Sequence, residues 1–257
     1  MKRIFEIGFV LLLLVGCQQE SPLGFRELNP GETGVLFNNQ LMETPQLNIL
    51  NYLYYYNGAG VIAADFNNDS LPDLYFGANQ QPDALYINQG GMQFEEVGIQ
   101  SGISNGEGWT TGVAHADVNG DGLEDIYVCK ASGYRALEGR NLLYINQGSD
   151  AEGIPIFEEA AREYGLDFSG LSTQASFFDF DLDGDLDLFL LNHSVHPNRN
   201  YGKGSQRELF DPLSGDRLYR NDQGKFTDIS QEAGIFQGKA GYGLGLGISD
   251  LNNDGWL

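Results

Sequence analysis

From residue 57 onward the chain alternates short apolar runs with acidic loops. GAGVIAA, TTGVAHA, TQASFF and GLGLGIS each precede a loop. LYFGAN, IYVCKA and LFLLNH each follow one. An L-Y-x-N signal comes next, at Leu85–Asn88, Leu143–Asn146 and Leu218–Asn221, then a Gly-containing turn and a QFEEV, IFEEA or KFTDI run. Runs this short, bounded by Gly, Asn and Asp, read as strands rather than helices. Each unit closes with a glycine-apolar pair: Gly102-Ile103, Gly165-Leu166 and Gly234-Ile235. Four strands per unit, repeated, predict an all-β protein, a β-propeller of four-stranded blades. The blades fall at about 57–104, 109–167, 171–236 and, incomplete, 241–257. A closed ring removes sheet edges, so three blades and the start of a fourth predict a natural protein that continues. Residues 33–40, TGVLFNNQ, are expected to add a strand that closes the ring.

The acidic loops share a nine-residue pattern, with Asp at positions 1, 5 and 9 and Asn or Asp at position 3. Calcium takes six to eight oxygens, and a curled loop supplies them from alternate positions. The expected ligands of the first loop are Asp65, Asn67, Asp69, the Leu71 carbonyl and Asp73. Those of the second are Asp117, Asn119, Asp121, the Leu123 carbonyl and Asp125. The third has Asp179, Asp181, Asp183, the Asp185 carbonyl and Asp187. A fourth copy, Asp250, Asn252 and Asp254, lacks position 9. Position 6 is glycine in three copies, and Ser70 in its place makes the first loop the expected weakest. Sulfur and imidazole are absent from all four, which disfavours zinc and copper. An EF-hand is excluded, because position 12 is Phe76, Val128 or Leu190 instead of Glu.

Charge sharpens this picture. The 257 residues carry a formal charge of −22, which argues against nucleic-acid binding. Fourteen of the 36 acidic residues lie in the four loops, and none of the 14 basic ones does. The acidity is therefore largely a demand for metal. The repeats resemble FG-GAP/VCBS repeats, which build the propellers of integrin α-subunits and many bacterial surface proteins. Strings such as GAGVIAADFNNDSLPDLYFGAN followed by LYINQG resemble the ASPIC/UnbV-associated, cartilage acidic protein-like family. The resemblance covers roughly residues 33–257 and implies a calcium-bound, usually extracellular propeller used for adhesion or ligand binding. No ASPIC/UnbV domain itself is visible.

The N-terminus reads as an address. Lys2 and Arg3 precede the apolar run Ile7–Val15, which has the length of a signal peptide's hydrophobic region. It ends Leu14-Val15-Gly16-Cys17, which resembles the bacterial lipobox, so residues 1–16 are read as a lipoprotein signal, Cys17 as the lipidated residue and 17–32 as a tether. This predicts a lipid-anchored protein of the bacterial cell envelope, at the outer membrane or cell surface. Cys129 lies in an apolar run and reads as a buried small hydrophobe. His115 reads as a hydrogen-bonded core residue.

Strand alternation places the acidic loops and 3–4 turns on one face, and the 2–3 loops on the other. The third 2–3 loop, residues 192–216, is longest and carries His193, His196, Arg199, Lys203 and Arg207. Long loops in compact folds are often functional. This loop is a candidate site for an anionic or polar partner, a polysaccharide or extracellular protein. No G-x-S-x-G, HExxH or catalytic cysteine pattern appears. The favoured function is thus a calcium-binding adhesion or ligand-binding module, not an enzyme. A propeller-based glycan-processing enzyme and a scaffold in a surface complex are the alternatives.

Overall fold

The computed structural model describes residues 24–103, 108–194 and 209–257. Residues 1–16, read above as a signal, and Cys17, His196, Arg199, Lys203 and Arg207 lie outside these residues. The described chain is all-β apart from two single turns of helix, α1 (Pro30–Thr33) and α2 (Ala161–Tyr164). Twelve strands form three antiparallel sheets of four. The first holds β1 (Val61–Ala64), β2 (Asp73–Phe76), β3 (Ala84–Asn88) and β4 (Phe94–Glu96). The second holds β5 (Trp109–Ala116), β6 (Asp125–Ala131), β7 (Leu142–Ser149) and β8 (Pro155–Glu159). The third holds β9 (Ser172–Phe178), β10 (Asp187–Asn192), β11 (Arg217–Asn221) and β12 (Phe226–Asp228). Strand order follows chain order in every sheet, as in a propeller blade.

Adjacent sheets pack face to face. Tyr75, Leu85 and Ile87 of the first sheet meet Ile126, Val128 and Tyr144 of the second. The other side of the second, with Tyr127, Cys129 and Leu143, meets Leu188, Leu190 and Tyr219 of the third. Each of these buried side chains contributes roughly 1.5–3 kcal/mol. Cys129 is fully buried and unpaired, as its apolar run implies, and burial pushes its thiol pKa up.

The closing glycines are joints between blades. Gly102 and Gly165 have left-handed φ values of 76° and 79°. A Cβ on either would stand 2.7 or 2.8 Å from the Phe157 or Phe226 carbonyl oxygen of the following blade. Only glycine permits both the backbone turn and that approach. Gly34 repeats the arrangement, with φ 80° and the Phe94 carbonyl 2.4 Å from a built Cβ. Gly34-Val35 is thus a further copy of the closing pair, one the strand pattern alone does not reveal.

Three expectations change. Residues 34–40 form no strand. They run along the first blade through side chains: Phe37 stacks on Phe76 at 4.8 Å, and Asn39 exchanges hydrogen bonds with Asn79 of 2.7 and 3.1 Å. Residues 243–249 also form no strand; an antiparallel partner would have to follow position 9 of the fourth loop, and Leu257 is position 8. His115 is exposed and hydrogen-bonds Glu124 at 2.7 Å, because it lies at the end of β5, where the strand runs out of the core into the second loop. A tyrosine-rich segment, residues 47–56, also packs onto the blades. Tyr52 and Tyr55 are fully buried in a third cluster with Trp109, Ala131, Leu137 and Leu171, over the 2–3 side of the sheets.

Candidate metal centres

Each nine-residue loop joins the first and second strands of its blade. Position 9 pairs in register with the residue before position 1: Asp73 with Ala64, Asp125 with Ala116 and Asp187 with Phe178. The chain must therefore leave and re-enter the same ladder rung, which forces the intervening residues into a tight curl.

The curl is wound around the position-1 carboxylate. In the first loop, Asp65 accepts from the Asp69 and Ser70 N–H groups at 3.0 and 2.7 Å. Asp117 accepts from Asp121 and Gly122 at 3.0 and 2.8 Å, and Asp179 from Asp183 and Gly184 at 3.2 and 3.0 Å. Asp250 does the same with Asp254 and Gly255, although no strand precedes it. Position 5 caps the end of the curl by accepting from the N–H of position 7. Positions 4 and 6 are both left-handed. Position 6 is Ser70, Gly122, Gly184 or Gly255, and Ser70 holds φ 70° without glycine's freedom. The first loop keeps the common shape despite this strain.

Position 9 is a clamp as well as a charge. Asp125 accepts from the Val118 N–H at 3.0 Å and the Asn146 N–H at 2.8 Å. Asp73 holds Phe66 and Asn88 in the same way, and Asp187 holds Phe180 and Asn221. All three carboxylates are buried. Burial raises their pKa, to about 6 for Asp73 and about 7 for Asp125, with neighbouring loop carboxylates adding to the rise.

The second hydrogen-bond donor to each clamp is the asparagine of L-Y-x-N, whose role the motif's spacing leaves open. Its side chain accepts from the 3–4 turn at Gly90, Gly148 or Gly224. It donates to the position-8 carbonyl of its own loop, Pro72, Glu124 or Leu186. A parallel set closes the 2–3 connections. Asp83, Asn141 and Asp216, two residues before the L-Y pair, accept from Ala78, Lys130 and Asn192 N–H groups. A [D/N]-x-L-Y-x-N spacing carries both functions.

The third loop differs at position 3. In the other loops Asn67, Asn119 or Asn252 donates to the position-5 carboxylate at 3.1, 2.9 or 2.8 Å. Asp181 has no proton to donate, and its Oδ1 is buried without a partner. Asp179, Asp181 and Asp187 bring carboxylate oxygens within 4.8 Å of one another. Among the described residues this is the one such His, Cys, Asp or Glu group.

These repeats have named counterparts. Residues 65–128 match the model of the FG-GAP-like repeat. This stretch carries an FG-GAP-like repeat. The matched stretch runs from the first acidic loop through the second loop and β6. The chain is also 27% identical over 203 residues to cartilage acidic protein 1 of Mus musculus, and 25% identical to that of Homo sapiens. Each match covers 79% of this chain and 28% of the relative, so the chain spans about a quarter of the proteins it matches. The matched stretch thus spans parts of two propeller blades, and all three blades carry their acidic loops at the same position.

The candidate ligand face is less open than its loops suggest. His193 is fully buried, with its ring nitrogens 3.3 Å from the Tyr52 hydroxyl and 3.0 Å from the Thr173 hydroxyl. Burial lowers its pKa to about 3. It is a core residue under the tyrosine-rich segment and not a surface ligand. Tyr134 donates to the Asn51 carbonyl, and Gln80 donates to the Tyr55 hydroxyl at 3.4 Å, so the same segment is tied down at two further points.

Proposed function

We propose that the protein is a calcium-binding propeller module of the bacterial cell envelope, anchored by lipid at Cys17 and presenting its 2–3 loops to a polysaccharide or protein. The observation that carries the calcium reading is the third loop, where three carboxylates converge around a buried oxygen that nothing satisfies. Unpaired buried charge is costly, and a divalent cation with oxygen preference relieves it. The donor set is oxygen throughout, so the residues fit calcium. Asp179, Asp181, Asp183, the Asp185 carbonyl and Asp187 would hold it in the third loop, and their counterparts would do so in the first two. Asp250, Asn252 and Asp254 form the shorter fourth set. Bound calcium would neutralise charge and stiffen the blade edge; it supplies no chemistry to a reaction. Chelator is expected to lower the melting temperature of the purified chain by more than 5 °C at neutral pH and low salt, and excess calcium to restore it. An unchanged melting temperature would remove the calcium reading.

Binding rather than catalysis is favoured because, among the described residues, the one group of converging carboxylates lies in an acidic loop. The basic residues Arg199, Lys203 and Arg207 are the proposed contacts for an acidic or hydroxyl-rich partner, through bidentate or point-charge hydrogen bonds. Replacing all three with Ala is expected to weaken adhesion to the cognate glycan or protein at least tenfold; equal binding would exclude this loop. Lipid anchoring predicts that Cys17→Ser moves the protein from the membrane to the soluble fraction. Recovery of that variant in the membrane pellet would count against it. Among the described residues no helix is long and apolar enough to cross a membrane.

A further inference from the structure

The loops are wired to each other across blade boundaries. The Asn146 backbone N–H donates to Asp125 of the second loop at 2.8 Å. Its side-chain Nδ2 reaches into the preceding blade and donates to the Phe66 carbonyl at 2.8 Å. Phe66 is position 2 of the first loop, and its own N–H donates to Asp73 at 3.0 Å. One buried asparagine therefore joins the position-9 carboxylate of one loop to the residue held by that of its neighbour. Asn67 adds a second tie, donating to the Gly153 carbonyl of the second blade at 3.2 Å. The next boundary has the same plan but a longer bond. Asn221 donates its N–H to Asp187 at 2.8 Å, and its Nδ2 lies 3.5 Å from the Val118 carbonyl.

We propose that Asn146 couples the first and second loops, so that calcium in either strengthens binding in the other. This rests on the calcium reading above. The physical route is short. Calcium in the first loop draws its carboxylates together and fixes Phe66 between the Asp73 clamp and the Asn146 side chain. That fixes the Asn146 backbone, and with it the orientation of Asp125 in the second loop. Ordering one site thus removes part of the ordering cost of the next, which is positive coupling. The longer Asn221 bond makes the coupling from third loop to second the weaker of the two.

The test is a calcium titration of the full chain followed by amide resonances. The Gly122 N–H donates to Asp117 and the Ser70 N–H to Asp65, so each reports on one loop. Asp69→Ala disables the first loop. It is expected to raise the calcium dissociation constant read at Gly122 at least fivefold, and Asp183→Ala in the third loop to raise it less. By reciprocity, Asp121→Ala is expected to raise the constant read at Ser70 by the same factor as Asp69→Ala does at Gly122. With Asn146→Ala added, the effect of Asp69→Ala at Gly122 is expected to fall below twofold. The proposal is overturned if Asp69→Ala moves the Gly122 constant less than twofold in the otherwise unchanged chain, or equally with and without the Asn146 side chain. The first two arms decide the question even if Asn146→Ala does not fold. If calcium moves neither amide in the unchanged chain, the calcium reading itself has failed.

Discussion

Replacing Asp125 with Ala is expected to destabilise the calcium-free protein by about 3 kcal/mol, since two buried backbone donors lose their acceptor at ~1–3 kcal/mol each. Those donors are the N–H groups of Val118 and Asn146. A residue that served only as a metal ligand would cost nothing in chelator, so denaturant unfolding without calcium separates the two roles. The pH dependence provides a second readout. The Asp125 pKa is raised to about 7 in the folded state, mainly by burial. It is about 4 in the unfolded chain. Above pH 7 the carboxyl is ionised in both states and the folded state bears the desolvation. As pH falls through 7 toward 4, only the folded state takes up the proton, so the calcium-free protein gains stability over that window. Asp73, raised to about 6, acts in the same sense. Asp125→Ala is expected to flatten this rise. Calcium reverses the sign, because binding requires the ionised form.

Asp181→Asn is expected to weaken calcium binding by the third loop about tenfold while raising calcium-free stability by about 1 kcal/mol. The two effects have one cause. Asp181 brings a fourth carboxylate to positions 1, 3, 5 and 9, where the other complete loops have three. It also leaves its Oδ1 buried and unsatisfied. Asparagine would restore the bond to position 5 that Asn67 and Asn119 make, at 3.1 and 2.9 Å, and remove one charge. Calorimetric titration and chelator unfolding of the variant measure the two halves separately. If affinity is unchanged, the extra charge at position 3 contributes nothing to calcium binding.

Strand pattern and turn chemistry made the blades legible, because each blade is a run of local antiparallel connections. The [D/N]-x-L-Y-x-N spacing was visible too, but its meaning was not. Nothing in the spacing says that Asn146 spans two blades or that Asn141 closes a loop; those partners are 80 and 11 residues away. Tyr52, Tyr54 and Tyr55 form an aromatic run in the sequence, yet their covering of the 2–3 side depends on contacts with Trp109 and His193, which no local period encodes. His193 lost its surface role, and Gly34 gained the role of a joint, for the same reason.

The fourth loop marks the boundary between the two kinds of information. Residues 250–256 curl as the others do, with neither a β-strand before them nor a position 9 after them. Their sequence alone therefore determines the curl, since the position-1 Asp needs only N–H groups four and five residues away and a left-handed residue at position 6. What the tertiary structure decides is the clamp. A buried Asp with a raised pKa, held by an N–H seven residues before it and another 15 to 34 residues after it, exists only once the third strand has been laid beside the second. Local hydrogen bonds shape each loop; the packing of blade on blade sets the charge it carries and the neighbour it answers to.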